Sequence, residues 1–522
     1  MLEDNALLTR IVSRFHIIVT VVVAMLGAAF LGISAGEGDF FAIYLGIFGA
    51  AFIALMIALG DKYWMVIPFA FTSQLPAIPI KGRLLELPEI TAALCTVVFL
   101  IRYAVKRQTL SIFRREHAIF LLYVGWVMMV FCLNPVGLSG FLEGGGGALG
   151  GARFYAKILL GLAAFLVLAN QVITEADCKR ILIILIVGGV LSSGYGISLY
   201  FLPVLGSTME LVGESSSYSW HQQLATVPLL LIVVGFARHR TGDLFSLNRP
   251  WTTLIFAVCL VLIGLSGKRT ALASVVVVAI SAALLRREWG YLMFWLAGAT
   301  VASGIIMIGH GSLFRLPTNV QRALSVLPAT WDAEFQYMEG GQDTFRAELR
   351  RLAWKKIELD PWIGTGYQVD LSLAQALSAQ YAMRGGDTEL QVMPFAMGSS
   401  WHNTWLGHAA DFGIPLAIIA AGIYLSVIRR GLKLLRSLPM RSFAAALSMY
   451  LLLNTVRRLV FSHVGGHSAT EPFDFWWFYG LQVALFVRSP FKSEAEPLQN
   501  PVNHPARGRP MNPRSPRVPV LR

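Results

Sequence analysis

Apolar runs of about twenty residues, repeated along most of the chain, constrain its fold more than any other feature. A helix rises about 1.5 Å per residue, so roughly 20 apolar residues cross the hydrocarbon core of a bilayer. Only segments that satisfy their backbone polar groups internally are stable there, and for runs of this length that means helices. Runs of the required length lie near 15–35, 39–59, 63–80, 88–105, 117–133, 151–169, 180–202, 221–236, 250–266, 270–286, 290–309, 402–428, 441–462 and 474–488. They predict an all-α polytopic membrane protein with about 12–14 transmembrane helices. The run at 63–80 stands apart because Pro68, Pro76 and Pro79 interrupt a regular helix, so a bent or re-entrant piece is the alternative. The first run is too long for a signal-peptide core and has no small-residue cleavage pattern behind it, so it reads as a retained span.

Charge sets the expected orientation. With a cytoplasmic N-terminus, 27 of the 43 Lys and Arg fall in the inner segments, as the positive-inside rule requires. Both termini are then cytoplasmic. The expected organisation is an N-terminal helix block at 1–309, a large extracytoplasmic loop at 310–401, C-terminal helices at 402–489 and a tail at 490–522. From Arg488 onward the chain carries seven Lys or Arg and eight prolines, the composition of a disordered, basic, Pro-rich segment able to lie on anionic lipid. The net charge of +13 thus reports topology rather than nucleic-acid binding, and no nucleic-acid motif is present. The four cysteines, Cys95, Cys132, Cys178 and Cys259, lie in or beside apolar runs without metal-like spacing, and the large loop has none. His463, His467 and Glu471 are too loosely spaced for a metal site, and Gly144–Gly147 lack the Lys-Ser/Thr of a phosphate loop.

The sixteen remaining cations fall where topology disfavours them. Eight are pairs at outer helix ends: Lys81 and Arg83, Arg153 and Lys157, Lys268 and Arg269, Arg457 and Arg458. Cations in such places face a cavity or a partner charge, or they snorkel to lipid phosphates. Arg269 is the sharpest case, because it follows Ser266 and Gly267 in a tight turn that leaves a long side chain little room. The other eight lie in the loop, which also holds ten acids, so its positive charge is concentrated between Arg346 and Lys356. Helical spacing puts Arg346, Arg350 and Trp354 on one face, with an amphipathic surface helix as the competing reading. Arginine is the residue that grips phosphate bidentately. Pro361 should stop that helix, and Gly364 and Gly366 supply a turn open to close approach. His402, followed by Asn403, opens the next apolar segment, either as a helix-capping histidine or as a proton-transfer group. Arginines, open backbone and one histidine together form an anion site beside a proton-transfer group.

Three segments resemble the O-antigen ligase and polymerase superfamily of bacterial membrane proteins. They are Ser266-Gly267-Lys268-Arg269; Arg350 to Trp354 leading into Pro361-Trp362-Ile363-Gly364-Thr365-Gly366; and His402-Asn403-Thr404-Trp405-Leu406 followed by Phe412-Gly413-Ile414-Pro415. The resemblance implies an integral-membrane glycosyltransferase that takes its glycan from undecaprenyl diphosphate on the periplasmic side of the inner membrane; with no Asp-x-Asp metal motif in the sequence it is expected to be metal-independent, arginines replacing a divalent cation, and inverting, because direct displacement inverts the anomeric centre. It needs no cofactor. It implies that Arg269 and either Arg350 or Arg346 hold the diphosphate and that His402 assists the acceptor hydroxyl. Lys268, Asn403, Arg153, Arg83 and Trp354 are further candidates for contact with substrate. The implied partners are the lipid-linked donor, a glycan or lipid A-core-like acceptor and membrane lipids. Lys268 and Thr270 stand where the family usually has small residues. The ligase pattern of an Arg with Leu four residues later is not reproduced, since Leu349 follows Arg346 by three and Arg350 follows it by four. The spacing of His402 to Gly413 and the absence of Lys or Arg from 203–220 favour a ligase over the alternative, a polysaccharide polymerase. A transporter or flippase is the more distant alternative; it would place charges mid-span and show internal repeats, neither of which is found.

Overall fold

A computed structural model of the chain describes residues 55–56, 58–73, 78–80, 83–106, 114–134, 151–201, 224–244, 248–325, 327, 330–367, 401–439, 441–462 and 471–488. A 3-10 turn at Gly60–Met65 leads into α1 (Val66–Ser73), and β1 (Ile78–Ile80) and β2 (Arg83–Leu85) follow. The helices after them are α2 (Leu87–Lys106), α3 (Ala118–Leu133), α4 (Gly151–Ala169), α5 (Glu175–Phe201), α6 (Thr226–Arg238), α7 (Thr241–Leu244), α8 (Pro250–Leu265) and α9 (Arg269–Arg286). The chain continues through α10 (Trp289–Gly309), α11 (Thr318–Leu324), α12 (Ala333–Leu359), α13 (Thr404–Ser437), α14 (Phe443–Phe461) and α15 (Glu471–Arg488). The expected span at 15–35, nearly all of 39–59, Gly144–Gly147, the 203–220 segment, His463, His467 and the tail lie outside the described residues.

The protein is an all-α polytopic membrane protein. Among the described residues, five helices are long and apolar enough to cross a bilayer: Leu87–Ala104 within α2, then α9, α10, α13 and α14. Shorter apolar helices, α3, α6 and α8, accompany them. Much of the apolar surface faces outward, as lipid contact requires. On α10, Phe294, Val301, Ile305 and Ile308 are all exposed, and Trp251, Trp289 and Tyr291 lie exposed at the starts of α8 and α10 in the manner of interfacial aromatics.

The run at 63–80 is not a straight span. Helix α1 ends at Ser73, and the chain turns into a short antiparallel hairpin in which Ile78 pairs with Leu85 and Ile80 with Arg83. Pro79 sits inside β1, and a proline there withholds an N–H that a helix would need. This hairpin is the only pair of strands among the described residues, beside an isolated bridge between His310 and Phe314.

Small residues permit the closest helix packing, since apolar burial does not drive association in lipid. At the crossing of α4 and α15, a Cβ added to Gly161 would fall 2.6 Å from the Pro472 carbonyl oxygen, and one on Gly480 would fall 2.7 Å from that of Phe165. Aromatic rings fill the space beside this crossing: Phe120 stacks on Phe165 at 4.2 Å between centroids and meets Trp476 edge-on at 5.2 Å. These contacts fix α3, α4 and α15 as the backing for α13, which carries His402 just before its first turn.

Candidate functional site

Helix α12 lies against α13 through one stripe. Leu349, Ala353 and Ile357 are buried at successive four-residue steps, and Ala353 and Ile357 pack with Trp401, Ala409 and Ala410. As the sequence predicts, the helix stops at Leu359, before Pro361. The Asp360 carboxylate accepts the backbone N–H groups of Trp362 (3.3 Å) and Ile363 (3.1 Å), which turns the chain back toward α13.

The turn then repairs a break in α13. Gly413 has φ +79° and ψ 162°, values outside any helix, and Pro415 two residues later cannot donate. The backbone groups released there are satisfied by distant chain: Ile414 N–H donates to the Pro361 carbonyl at 2.8 Å, Gly366 N–H to that of Asp411 at 2.7 Å, and Trp126 Nε1–H to that of Phe412 at 2.9 Å. Close approach requires glycine on both sides. A Cβ on Gly413 would lie 2.2 Å from the Trp362 carbonyl oxygen, and one on Gly364 would lie 2.6 Å from the Asp411 backbone. Beneath this contact the fully buried Asp411 takes a hydrogen bond from Lys356 Nζ at 2.7 Å, and the Trp401 indole N–H lies 3.3 Å from each of its carboxylate oxygens. The broken helix, the Pro361–Gly366 turn and α12 are thereby locked together.

His402 sits two residues before the start of α13. Its φ of 50° is left-handed, an unusual conformation for a residue with a side chain. Asn403 caps α13, its side-chain oxygen accepting Leu406 N–H at 3.0 Å, so its described role is structural. The Phe345 ring lies 6.2 Å from the imidazole, and Arg346 is close enough to act on its charge. Burial first, and the Arg346 guanidinium second, hold the His402 pKa below the usual histidine value. The imidazole is therefore neutral near pH 7 and able to accept a proton.

A cavity of about 440 Å³ opens between α6, α9 and α14. It is lined by Lys268 and Thr270 on either side of Arg269, by Ser274 one turn on, by Tyr450, Asn454, Arg457, Arg458 and Phe461 of α14, and by residues of α6. The Ser266–Lys268 turn presents this edge: Gly267 adopts φ +70°, and Lys268 N–H donates to the Ser266 hydroxyl at 3.2 Å. Burial lowers the Lys268 pKa. The cavity borders the histidine segment through one backbone bond, Thr404 N–H to the Ser462 carbonyl at 2.7 Å, and Ser462 follows Phe461 of the lining.

The expected site residues thus divide. His402 and Arg346 come together, and Lys268 faces the cavity next to Arg269. Arg350 and Trp354 are exposed on α12. Arg153 instead meets Glu89, with Nε 3.1 Å and Nη2 2.9 Å from its two carboxylate oxygens, and its neighbour Lys157 pairs with Glu86 at 2.7 Å. Arg83 stands in β2 opposite Ile80. Sequence reasoning placed Arg457 and Arg458 among the cation pairs that face a cavity, a partner charge or lipid phosphates, and they do line the cavity; it left the Lys356–Asp411 pair without a role.

No curated protein matches the chain. Residues 254–421, from within α8 to the middle of α13, match the family model described as O-antigen ligase. That span, about a third of the chain, contains Lys268, Arg269, Arg346, Arg350, His402 and the Gly413 break, and it is this segment that is similar to the O-antigen ligase-like superfamily.

Proposed function

We propose that this protein is a membrane glycosyltransferase of the O-antigen ligase type, moving a glycan from undecaprenyl diphosphate to an acceptor hydroxyl such as that of a lipid A-core-like molecule. The observation that carries the reading is His402, its pKa held down by burial and by Arg346, two residues before Thr404, whose N–H bonds the Ser462 carbonyl next to Phe461 of the cation-lined cavity. Transfer from a diphosphate needs two things at once. A base must take the proton of the incoming hydroxyl, and fixed positive charge must stabilise the departing diphosphate. His402 supplies the first, while Lys268, Arg269 and Arg346 belong to the second. The acceptor oxygen attacks the anomeric carbon as the bond to the diphosphate oxygen breaks, so a single displacement inverts that centre. Arginine and lysine supply the charge that a divalent ion provides in other transferases, and the reaction proceeds without one.

In this reading the protein lies in the bacterial inner membrane with both termini cytoplasmic and the 310–401 loop, with its site, periplasmic. The experiment replaces His402 with Ala in cells and examines the lipid-linked glycan. Long chains retained on undecaprenyl diphosphate, with bare acceptor at the surface, are the expected result. Accumulation of single repeat units instead would make the protein a polymerase of the same superfamily. An unchanged surface glycan would remove the proposal.

A further inference from the structure

The turn that repairs the break in α13 is tied to a level of the helix that a water-exposed loop would not reach. Ile414 and Arg429 are fifteen residues apart on α13, a rise of about 22 Å. Arg429, Arg430, Lys433 and Arg436 mark the end at which the helix leaves the bilayer on its cation-rich side. The hydrocarbon core is about 30 Å thick, and tilt only shortens the reach of a helix across it. Ile414 therefore stands no farther out than the opposite boundary of the core. Its N–H donates to the Pro361 carbonyl at 2.8 Å, and a Cβ on Gly413 would lie 2.2 Å from the Trp362 carbonyl oxygen. The end of α12 is thus held at the level of Ile414.

Two further observations say what covers it. Leu359 is 81% exposed and Trp362 70%, and Ile414, Ile418 and Leu425 of α13 are exposed on one face at helical spacing. Apolar side chains this bare mark a contact surface. Continuity with the α13 stripe makes the covering material acyl chains, and tryptophan is the residue that favours the boundary between chains and headgroups. Lys355 and Glu358, exposed within the preceding turn, put charge on the headgroup side. The backbone gives the second observation, because non-helical chain survives at this depth only where protein satisfies its polar groups. Trp362 and Ile363 N–H donate to the Asp360 carboxylate, Gly364 N–H to the Asp360 carbonyl at 3.2 Å and Gly366 N–H to that of Asp411. Tyr367 N–H donates to the Tyr155 hydroxyl at 3.3 Å, and the Gly364 carbonyl accepts Asn134 Nδ2–H at 3.2 Å.

We propose that the C-terminal tip of α12 is re-entrant, with Leu359 and Trp362 inserted into the lipid leaflet while the rest of the helix rises out of it. The partner of this surface is the bilayer itself. The 310–401 loop is then extracytoplasmic except at the tip. The Phe345 ring lies 6.2 Å from that of His402 and Lys356 Nζ 2.7 Å from Asp411, so α12 runs parallel to the start of α13 and both descend to the break together. A tip fixed in lipid therefore sets where Arg346 and His402 stand relative to the bilayer. Its consequence for glycosyl transfer rests on the function proposed above; the lipid contact does not.

The test is nitroxide labelling of the full-length protein in phospholipid nanodiscs, with collisions measured against oxygen, which concentrates in lipid, and against a water-soluble nickel chelate. Labels are carried by Leu359→Cys and Trp362→Cys, with Ile418→Cys on the exposed stripe of α13 and Ala347→Cys on the exposed face of α12 as references. Cys132, which is exposed, is replaced by Ser, while Cys95, Cys178 and Cys259 are buried. Because Leu359 and Trp362 are mostly exposed, their replacement should leave the melting temperature at that of the reference proteins. Labels at 359 and 362 should meet nickel several-fold less often than the label at 347, and oxygen as often as the label at 418. Nickel access equal to that at 347 would overturn the inference and leave the patch to a water-borne partner such as a glycan. Low access to both reagents would overturn it too, by placing a second copy of the chain over the tip. Lipid exposure at both positions in a protein that transfers no glycan would uphold the tip and defeat the proposed function alone.

Discussion

The backbone N–H of Thr404 lies 2.7 Å from the carbonyl oxygen of Ser462, joining the first turn of α13 to the end of α14. Through this bond the chain two residues past the candidate base meets the end of the helix that carries Arg457 and Arg458. Arg457 and Arg458 precede Ser462 by one turn, so any shift of α14 along its axis moves the cations relative to the histidine.

Glycine at 413 is required by two independent facts, its φ of +79° and the 2.2 Å separation that a Cβ would have from the Trp362 carbonyl oxygen. Gly413→Ala should lower stability by about 2 kcal/mol or more, from strain and from lost hydrogen bonds in the repaired break. Gly298→Ala is the matching control, since nothing lies within 4 Å of its added Cβ. Thermal unfolding in detergent should separate the two by several degrees, and equal melting would show that the turn and the break are not tightly joined.

Lys356 and Asp411 form a pair in which the carboxylate is fully buried. Removing only the cation, as in Lys356→Met, leaves that charge without its strongest partner and should cost about 3–5 kcal/mol. The double variant Lys356→Met with Asp411→Asn should regain much of the loss. Additive losses in the two single variants and the double, measured by denaturant or heat, would mean that the two side chains do not act as a pair.

The lowered pKa of His402 predicts a pH profile. A base works in its neutral form, so activity is full above the folded pKa and falls as pH drops through it, below the ordinary histidine value of about 6.5. Arg346→Gln removes the positive charge that contributes to the lowering, so the acidic limb should move to higher pH. The rate against pH for both proteins checks this. A limb that stays in place in the variant would show that Arg346 does not act on His402.

Much of the architecture was legible because hydrophobic runs are local. The run at 151–169 coincides with Gly151–Ala169, and Pro361 ends α12 where a missing N–H and a steric clash must end it. What local patterns do not carry is pairing across the chain. Arg153 looked like a cation in search of a ligand because its partner Glu89 is 64 residues away. The His402 to Gly413 spacing was visible, but the break at Gly413 is stable only because Pro361, Gly366 and Trp126 supply its backbone partners, and nothing near 413 encodes them. Strand β1 was hidden at the end of the 63–80 apolar run, which three prolines had already marked as irregular, and its partner β2 lies just beyond that run.

The central claim is that His402 moves a proton during transfer and does not hold the donor. The most direct measurement is single-turnover release of lipid diphosphate from a lipid-diphosphate-linked glycan, by wild type and His402→Ala, at donor concentrations that saturate both. The account predicts donor affinity within about 3-fold of wild type, with release slowed by about 100-fold or more, the usual contribution of a general base. Release at the wild-type rate in the variant would contradict it.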